Sequence, residues 1–368
     1  MPFFDMGMPF IRFAQRLSPC KALVPLKPAG AITGFKMQYI RFGQTGLTVS
    51  RVCLGTMSLG SSAWKGWVHD EDRAIPILQR ALDLGITFFD MADWYSNGRN
   101  EEVVGRNLLK LAGRDRLVLA TKVFNPMRED PNDKGLSRKH LLASIDRSLR
   151  RLGTDYVDIY MAHAFDPHTP VEETMEALHD IVKAGKARYL GASTMYAWQF
   201  AKMNYTARAH GWTPYVNMQC QYNLLYREEE REMIPYCQDQ GIAVTTFSPL
   251  ARGYLTGATD TPRTAHDPYM NYYGDGIDRE IARRVREVAK RRGVTAAHIA
   301  FAWVAANPKI TTPLIGADSV DQVDIAVAAA TLTLTPEEKV FLEEPYRPRD
   351  EINDGNPIRR PRSLSEGP

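Results

Sequence analysis

The chain has 368 residues, of which 44% are hydrophobic and 24% charged, which excludes disordered, collagenous and fibrous classes and leaves room for one α/β barrel or two modest domains. No apolar run approaches the roughly 20 residues that span a bilayer as a helix. The net charge of +3 is concentrated at the start, where residues 1–36 hold five bases against one acid. The near-neutral remainder has no electrostatic reason to bind nucleic acid or an anionic membrane.

That basic start has the charge of a transit peptide, but Pro19, Pro25 and Pro28 interrupt any amphipathic helix, and residues 1–36 read as a disordered extension. The four cysteines, Cys20, Cys53, Cys220 and Cys237, are far apart and form no CxxC pair. Reduced thiols in a cytoplasmic protein, with no metal site, are the simplest account.

From 38 to 50 the pattern predicts a short hairpin around Gly46. Eight short apolar runs follow, at 51–56, 87–92, 117–123, 156–163, 187–193, 215–221, 243–249 and 311–316. Runs such as Leu117-Val118-Leu119-Ala120 are apolar throughout, as strands buried on both faces of a parallel sheet must be. Helical patterns separate them. Thr169-Pro170-Val171-Glu172 predicts a capping box with Thr169 as N-cap, followed by the stripe Leu178, Ile181, Val182 and a stop at Gly185. Ser137 predicts another cap, ahead of Leu141, Leu142, Ile145 and Leu149, with a stop at Gly153.

Eight strand-helix units predict a (β/α)8 TIM barrel, with the hairpin before it and additional C-terminal helices. An open doubly wound sheet is the rival, but the turn after the first strand, Leu54-Gly55-Thr56-Met57-Ser58-Leu59-Gly60, is not GxGxxG. The barrel is expected over 37–346, with a long irregular loop at 251–276, an additional helix at 278–292 and a proline-rich tail at 347–368.

Barrel active sites lie at the C-terminal ends of the strands, so polar residues closing an apolar run are the candidates. Asp90, Lys122 and His163 end the second, third and fourth runs, and Tyr95 follows Asp90 by five residues. A strand lysine needs a partner, and Asp90 on the neighbouring strand is within reach. The ammonium would favour the phenolate of an adjacent Tyr95 and turn a weak acid into a usable proton donor. His163, if neutral, would orient the same oxygen. Each has an ordinary reading alone: a helix cap, a surface lysine, a packed aromatic, a core histidine. All four at successive strand ends argue for chemistry.

These residues sit in a wider pattern: 88–95 (Phe-Phe-Asp-Met-Ala-Asp-Trp-Tyr), Ala120-Thr121-Lys122, Gly191-Ala192-Ser193, Gln221-Tyr222-Asn223, Ser248-Pro249-Leu250-Ala251-Arg252-Gly253 and Pro313-Leu314-Ile315-Gly316. The pattern resembles the aldo-keto reductases from about Met37 to Tyr346, in the branch of microbial and fungal reductases related to potassium-channel β subunits. The resemblance implies reduction of an aldehyde or ketone by hydride from NADPH. Tyr95 would be the general acid, Asp90 and Lys122 would tune it, and His163 would orient the carbonyl. Ser193 and Gln219 would bind the carboxamide and Phe247 would stack on the nicotinamide. The implied cofactor set also includes Gly55, Thr56, Met57, Asp90, Ser248, Leu250, Arg252, Gly253, Arg263, Gly316, Asp318 and Gln322.

Asp318 and Asp321 stand where the family's 2′-phosphate contacts usually lie, which leaves NADH open unless Arg252 or Arg263 compensates. Ala164 replaces an arginine common in close relatives. Trp64, Trp67 and Trp94 follow the first two strands; if they line the mouth, the substrate is a hydrophobic or aromatic carbonyl. Two other functions remain: a nicotinamide-sensing regulatory subunit with little catalysis, and a Schiff-base aldolase using Lys122.

Overall fold

The computed structural model describes residues 37–349, apart from 259, 260, 262 and 264–266. The expected extension at 1–36 and all but the start of the expected tail lie outside the described residues.

The chain enters through an antiparallel hairpin, β1 (Tyr39–Arg41) and β2 (Thr48–Ser50). The barrel then alternates β3 (Cys53–Gly55), α1 (Glu71–Asp83), β4 (Phe88–Asp90), α2 (Arg99–Ala112), β5 (Val118–Val123), α3 (Arg138–Leu152), β6 (Val157–Ala162), α4 (Val171–Lys183), β7 (Ala187–Ser193), α5 (Ala197–Ala209), β8 (Tyr215–Gln221), α6 (Met233–Asp239) and β9 (Ala243–Phe247). After β9 come α7 (Gly276–Arg292), α8 (Ala296–Ala305), β10 (Thr312–Gly316), α9 (Val320–Ala329) and α10 (Pro336–Glu343). All eight strands from β3 to β10 pair in parallel, and β10 closes on β3. This is the expected TIM barrel.

Alternation along the strands sorts side chains between two cores. Cys53, Phe88, Val118, Ala120, Ile159, Met161, Ala243 and Leu314 form the core inside the barrel, together with Phe42 and Val49 of the hairpin. Phe42 packs edge-on against Phe88 at 5.7 Å, and the amide of Gln44 donates to the Gly241 carbonyl. The hairpin therefore closes the N-terminal end. Residues of the other parity, such as Leu54, Phe89, Leu119 and Tyr160, join the larger core beneath the helices.

Several element ends differ from expectation. Strand β3 begins at Cys53, two residues later than the apolar run, and the Arg51 guanidinium donates to carbonyls at Ala305, Ile310 and Thr311. The N-cap of α4 is Pro170, with no side-chain cap, because the Thr169 hydroxyl donates to Asp166 at 2.7 Å instead. Ser137 does cap α3, accepting from the His140 amide, and Gly153 ends that helix in the left-handed region. The 251–276 loop is partly ordered by two 3-10 turns, Ala251–Thr256 and Pro268–Tyr272, and the additional helix starts at Gly276 under an Asp275 cap. The first residues of the tail are fastened, since the Arg349 guanidinium donates to Asp278, Leu225 O and Tyr272 O.

Helices α2 and α3 meet at Gly105, where a Cβ would lie 2.6 Å from the Leu152 carbonyl oxygen and 2.7 Å from its Cα. Alanine is the better helix former by about 1 kcal/mol, but overpacking against rigid backbone costs about 1–3 kcal/mol. Gly105→Ala should therefore lower stability, read as a lower urea midpoint with unchanged slope.

Candidate active site

Strand parity brings the polar ends together. Asp90 shares the inward face with Phe88, and Lys122 shares it with Val118 and Ala120. Lys122 Nζ lies 2.6 Å from Asp90 Oδ2, donates to Met91 O at 2.9 Å and lies 3.4 Å from the Tyr95 hydroxyl. Its side chain is 0% exposed. Burial alone would lower its pKa, but the Asp90 carboxylate and the Tyr95 oxygen raise it further, so the ammonium stays charged. Gln219, from β8 across the barrel, donates to the other Asp90 oxygen at 2.9 Å. Among the described residues its carbonyl oxygen has no donor.

The Tyr95 and His163 rings meet edge-on at 5.8 Å. Burial pushes the His163 imidazole well below its usual range, and the Lys122 ammonium pushes it the same way. Asn125, which sequence reasoning missed, has its side-chain amide 3.5 Å from His163 Nδ1. From that contact we assign Nδ1 as acceptor and place the proton on Nε2. Asn125 lies two residues beyond β5 in a loop with no pattern to mark it.

Two braces hold the scaffold. The Thr56 hydroxyl and amide both donate to Asp90 O, and Asn100 holds the Thr56 carbonyl, so Thr56 supports β4 with its side chain already engaged. Outside the barrel, the Thr121 hydroxyl donates to Glu101, whose carboxylate also takes Arg151. Asp93, between Asp90 and Tyr95, is buried, and burial followed by the Glu101 charge raises its carboxyl well above the usual range.

The remaining candidates rim the same end. Ser193 closes β7 level with Gln219 on β8, and Phe247 closes β9 half-buried. Gly55 closes β3 level with Asp90 and Gly316, with Met57 beyond it. All six non-glycine residues with positive φ among the described residues lie in rim loops: Ser96, Asn97, Thr194, Ser248, Ala251 and Arg252. Left-handed backbone costs about 1–2 kcal/mol per residue, and such strain gathers at functional sites. Leu250 and Gly253 belong to the same strained turn, where the Gly253 amide donates to Leu250 O.

Arg252 donates to Asp267 at 2.6 Å, and Arg263 lies 3.6 Å from the same oxygen. Burial and then Arg252 lower the Arg263 pKa, while Asp267 and Asp318 pull it up. Two guanidinium groups thus converge on one carboxylate. Gln322 is not free to face a ligand with its carbonyl, which accepts from the Asp318 amide. Asp321 is exposed. Trp64, Trp67 and Trp94 do cluster, with ring centroids 6.4 Å (Trp64 to Trp67) and 5.1 Å (Trp64 to Trp94) apart. Among the described residues no cluster of three His, Cys, Asp or Glu side chains is arranged for a metal, and no helix is long and apolar enough to cross a membrane.

Residues 51–344 match the sequence model of the Aldo/keto reductase family. The chain belongs to that family. It is 41% identical over 338 residues to versiconal hemiacetal acetate reductase of Aspergillus parasiticus, covering 85% of this chain and 98% of the relative. It is 40% identical over 345 residues to aldo-keto reductase AMT2 of Alternaria alternata, covering 86% and 94%. A Schizosaccharomyces pombe relative with a provisional aryl-alcohol dehydrogenase name is 42% identical over 336 residues, covering 83% and 95%. An aldo-keto reductase is an oxidoreductase acting between carbonyl and alcohol with a nicotinamide cofactor.

The low imidazole pKa of His163, shared by burial-lowered His140, has a consequence for stability. Below the ordinary histidine value of about 6.5 the unfolded chain takes up protons that the folded protein refuses, so stability is full above that pH and falls as pH drops. Urea unfolding from about pH 8 to 5 should show the decline, and His163→Gln should make it shallower.

Proposed function

We propose that this aldo-keto reductase reduces an aldehyde or ketone, hydrophobic or aromatic in character, to its alcohol with NADPH, and that Tyr95 is the general acid. The observation that carries the reading is Lys122 Nζ standing 2.6 Å from Asp90 and 3.4 Å from the Tyr95 hydroxyl in a buried setting. The fixed ammonium stabilises negative charge as it develops on the phenol oxygen, and Asp90 keeps the ammonium in place. His163, neutral with its proton on Nε2, donates to the carbonyl oxygen and aims it at the phenol. Tyr95 then delivers its proton to that oxygen.

The donor set fits a nicotinamide dinucleotide. The unengaged Gln219 oxygen and the Ser193 hydroxyl suit a carboxamide, and half-buried Phe247 suits the ring face. Bound in reduced form, that group supplies the hydride. The strained turn through Ser248, Leu250 and Gly253, and the Arg252–Arg263 pair, suit its phosphates. Gly55, Met57 and Gly316 would border it. Arg263 stands in the field of Asp318, which offsets the repulsion that Asp318 would exert on a 2′-phosphate. This favours NADPH over NADH. Trp64, Trp67 and Trp94 would border the substrate. A cytoplasmic setting fits the absence of any disulfide among the described residues.

Tyr95→Phe should lower kcat for 4-nitrobenzaldehyde by about 10²–10⁴-fold while leaving the Kd for NADPH within error, and near-parental turnover would refute the assignment. NADPH binding without turnover in the parent protein would favour a cofactor-sensing role. In fluorescence titrations NADPH should bind more tightly than NADH, and Arg263→Met should cost NADPH about tenfold and NADH much less.

A further inference from the structure

Three consecutive residues near the exit of the long loop after β9 are held from three directions. The Tyr272 carbonyl accepts from the Arg349 guanidinium. The Tyr273 hydroxyl accepts from the Gln221 side chain at 2.9 Å. The Gly274 amide donates to Asp278 at 3.0 Å, and the other oxygen of that carboxylate takes the same Arg349 at 2.8 Å. Tyr273, Gln221 and Asp278 are all buried.

These ties reach both the barrel mouth and the entrance of the loop. Gln221 ends β8 on the same strand face as Gln219, two residues on, so its bond to Tyr273 fastens the loop to the mouth. The Tyr273 ring also stacks on Tyr254 at 5.9 Å, joining the exit of the loop to the turn Ala251–Thr256 at its entrance. In that turn Ala251 and Arg252 have left-handed backbone, a conformation that persists only where its surroundings hold it. Arg349 comes from the segment after α10. Its guanidinium lies 5.6 Å from the Tyr273 ring and donates to Leu225 O at 3.2 Å, and its amide donates to Glu228 at 3.0 Å. One side chain thus joins the loop after β8 to the loop after β9. The planar fork of a guanidinium serves several acceptors at once, which the point charge of a lysine cannot do.

We infer that Arg349 is a positioning residue for the nicotinamide dinucleotide: by locking the exit of this loop it holds the strained turn at the entrance, with its Arg252, and so slows release of the bound cofactor. The inference rests on the reading of that turn as a phosphate site. The contacts of Arg349 lie at Leu225, Glu228, Tyr272, Tyr273 and Asp278, so its effect on the turn passes through the Tyr273–Tyr254 stack.

A stopped-flow chase of NADPH fluorescence from the full chain measures release directly. Arg349→Met should speed release by about tenfold, Arg349→Lys should speed it less, and Tyr273→Phe, which removes only the hydroxyl, should act in the same direction. Arg292→Met breaks the ion pair with Glu338 on α10 and is the control for a merely weakened C-terminal region; it should leave the release rate unchanged. Amide hydrogen exchange of the cofactor-free protein gives a second readout. The amides of Gly253, Leu255 and Gly257, which donate within the entrance turn, should exchange faster in Arg349→Met than in the parent or in Arg292→Met. Unchanged release in Arg349→Met, an equal acceleration in Arg292→Met, or unchanged exchange at 253–257 would overturn the proposal. Should Arg349→Met not fold, Arg349→Lys and Tyr273→Phe carry the same comparison. If the parent protein binds no NADPH, the cofactor reading fails, and exchange at 253–257 still decides whether Arg349 holds the turn.

Discussion

The contact between Lys122 and Asp90 is the constraint on which the rest of the site depends. Taking both charges out of water costs several kcal/mol for each ion, and mutual attraction offsets this only when the geometry is good and the remaining donors and acceptors are filled. Here they are filled from three sides: Met91 O takes a second ammonium proton, Gln219 reaches across the barrel to Asp90, and Tyr95 faces the third ammonium direction. Removing either member would leave a buried charge uncompensated, a loss of about 3–5 kcal/mol. The Thr121–Glu101–Arg151 chain on the outer face of β5 holds the strand that carries the ammonium.

What could be read from the residues alone follows from the period of two. Apolar runs with a polar last member told both which segments are strands and which side chains point into the barrel at its open end. Asp90, Lys122 and His163 were legible for this reason, while Ser193, Gln219 and Phe247 stood out only through the family resemblance. Thr169 misled because its hydroxyl donates to the Asp166 carboxylate and accepts from no helix amide, so the helix begins after Pro170 without a side-chain cap. Asn125 and Asp267 were invisible because loop residues have no periodicity. Their roles arise from which loops the barrel brings side by side, and only coordinates record that.

The site divides its work between two kinds of backbone. Asp90 and Lys122 stand on strands whose positions are set by the ladder, and Tyr95 and His163 lie just beyond strand ends. Groups suited to phosphates and to the substrate ring stand on loops, several of them in strained left-handed conformations that neighbouring contacts must hold. In the Arg252–Asp267–Arg263 arrangement an internal carboxylate offsets the repulsion between two guanidinium groups.

The hairpin that seats Phe42 and Val49 inside the first turn of the barrel has its own consequence. It makes the cylinder a cup. Tyr95 stands at the opposite end of the strands from that plug, so what lies beneath it is packed protein and not solvent.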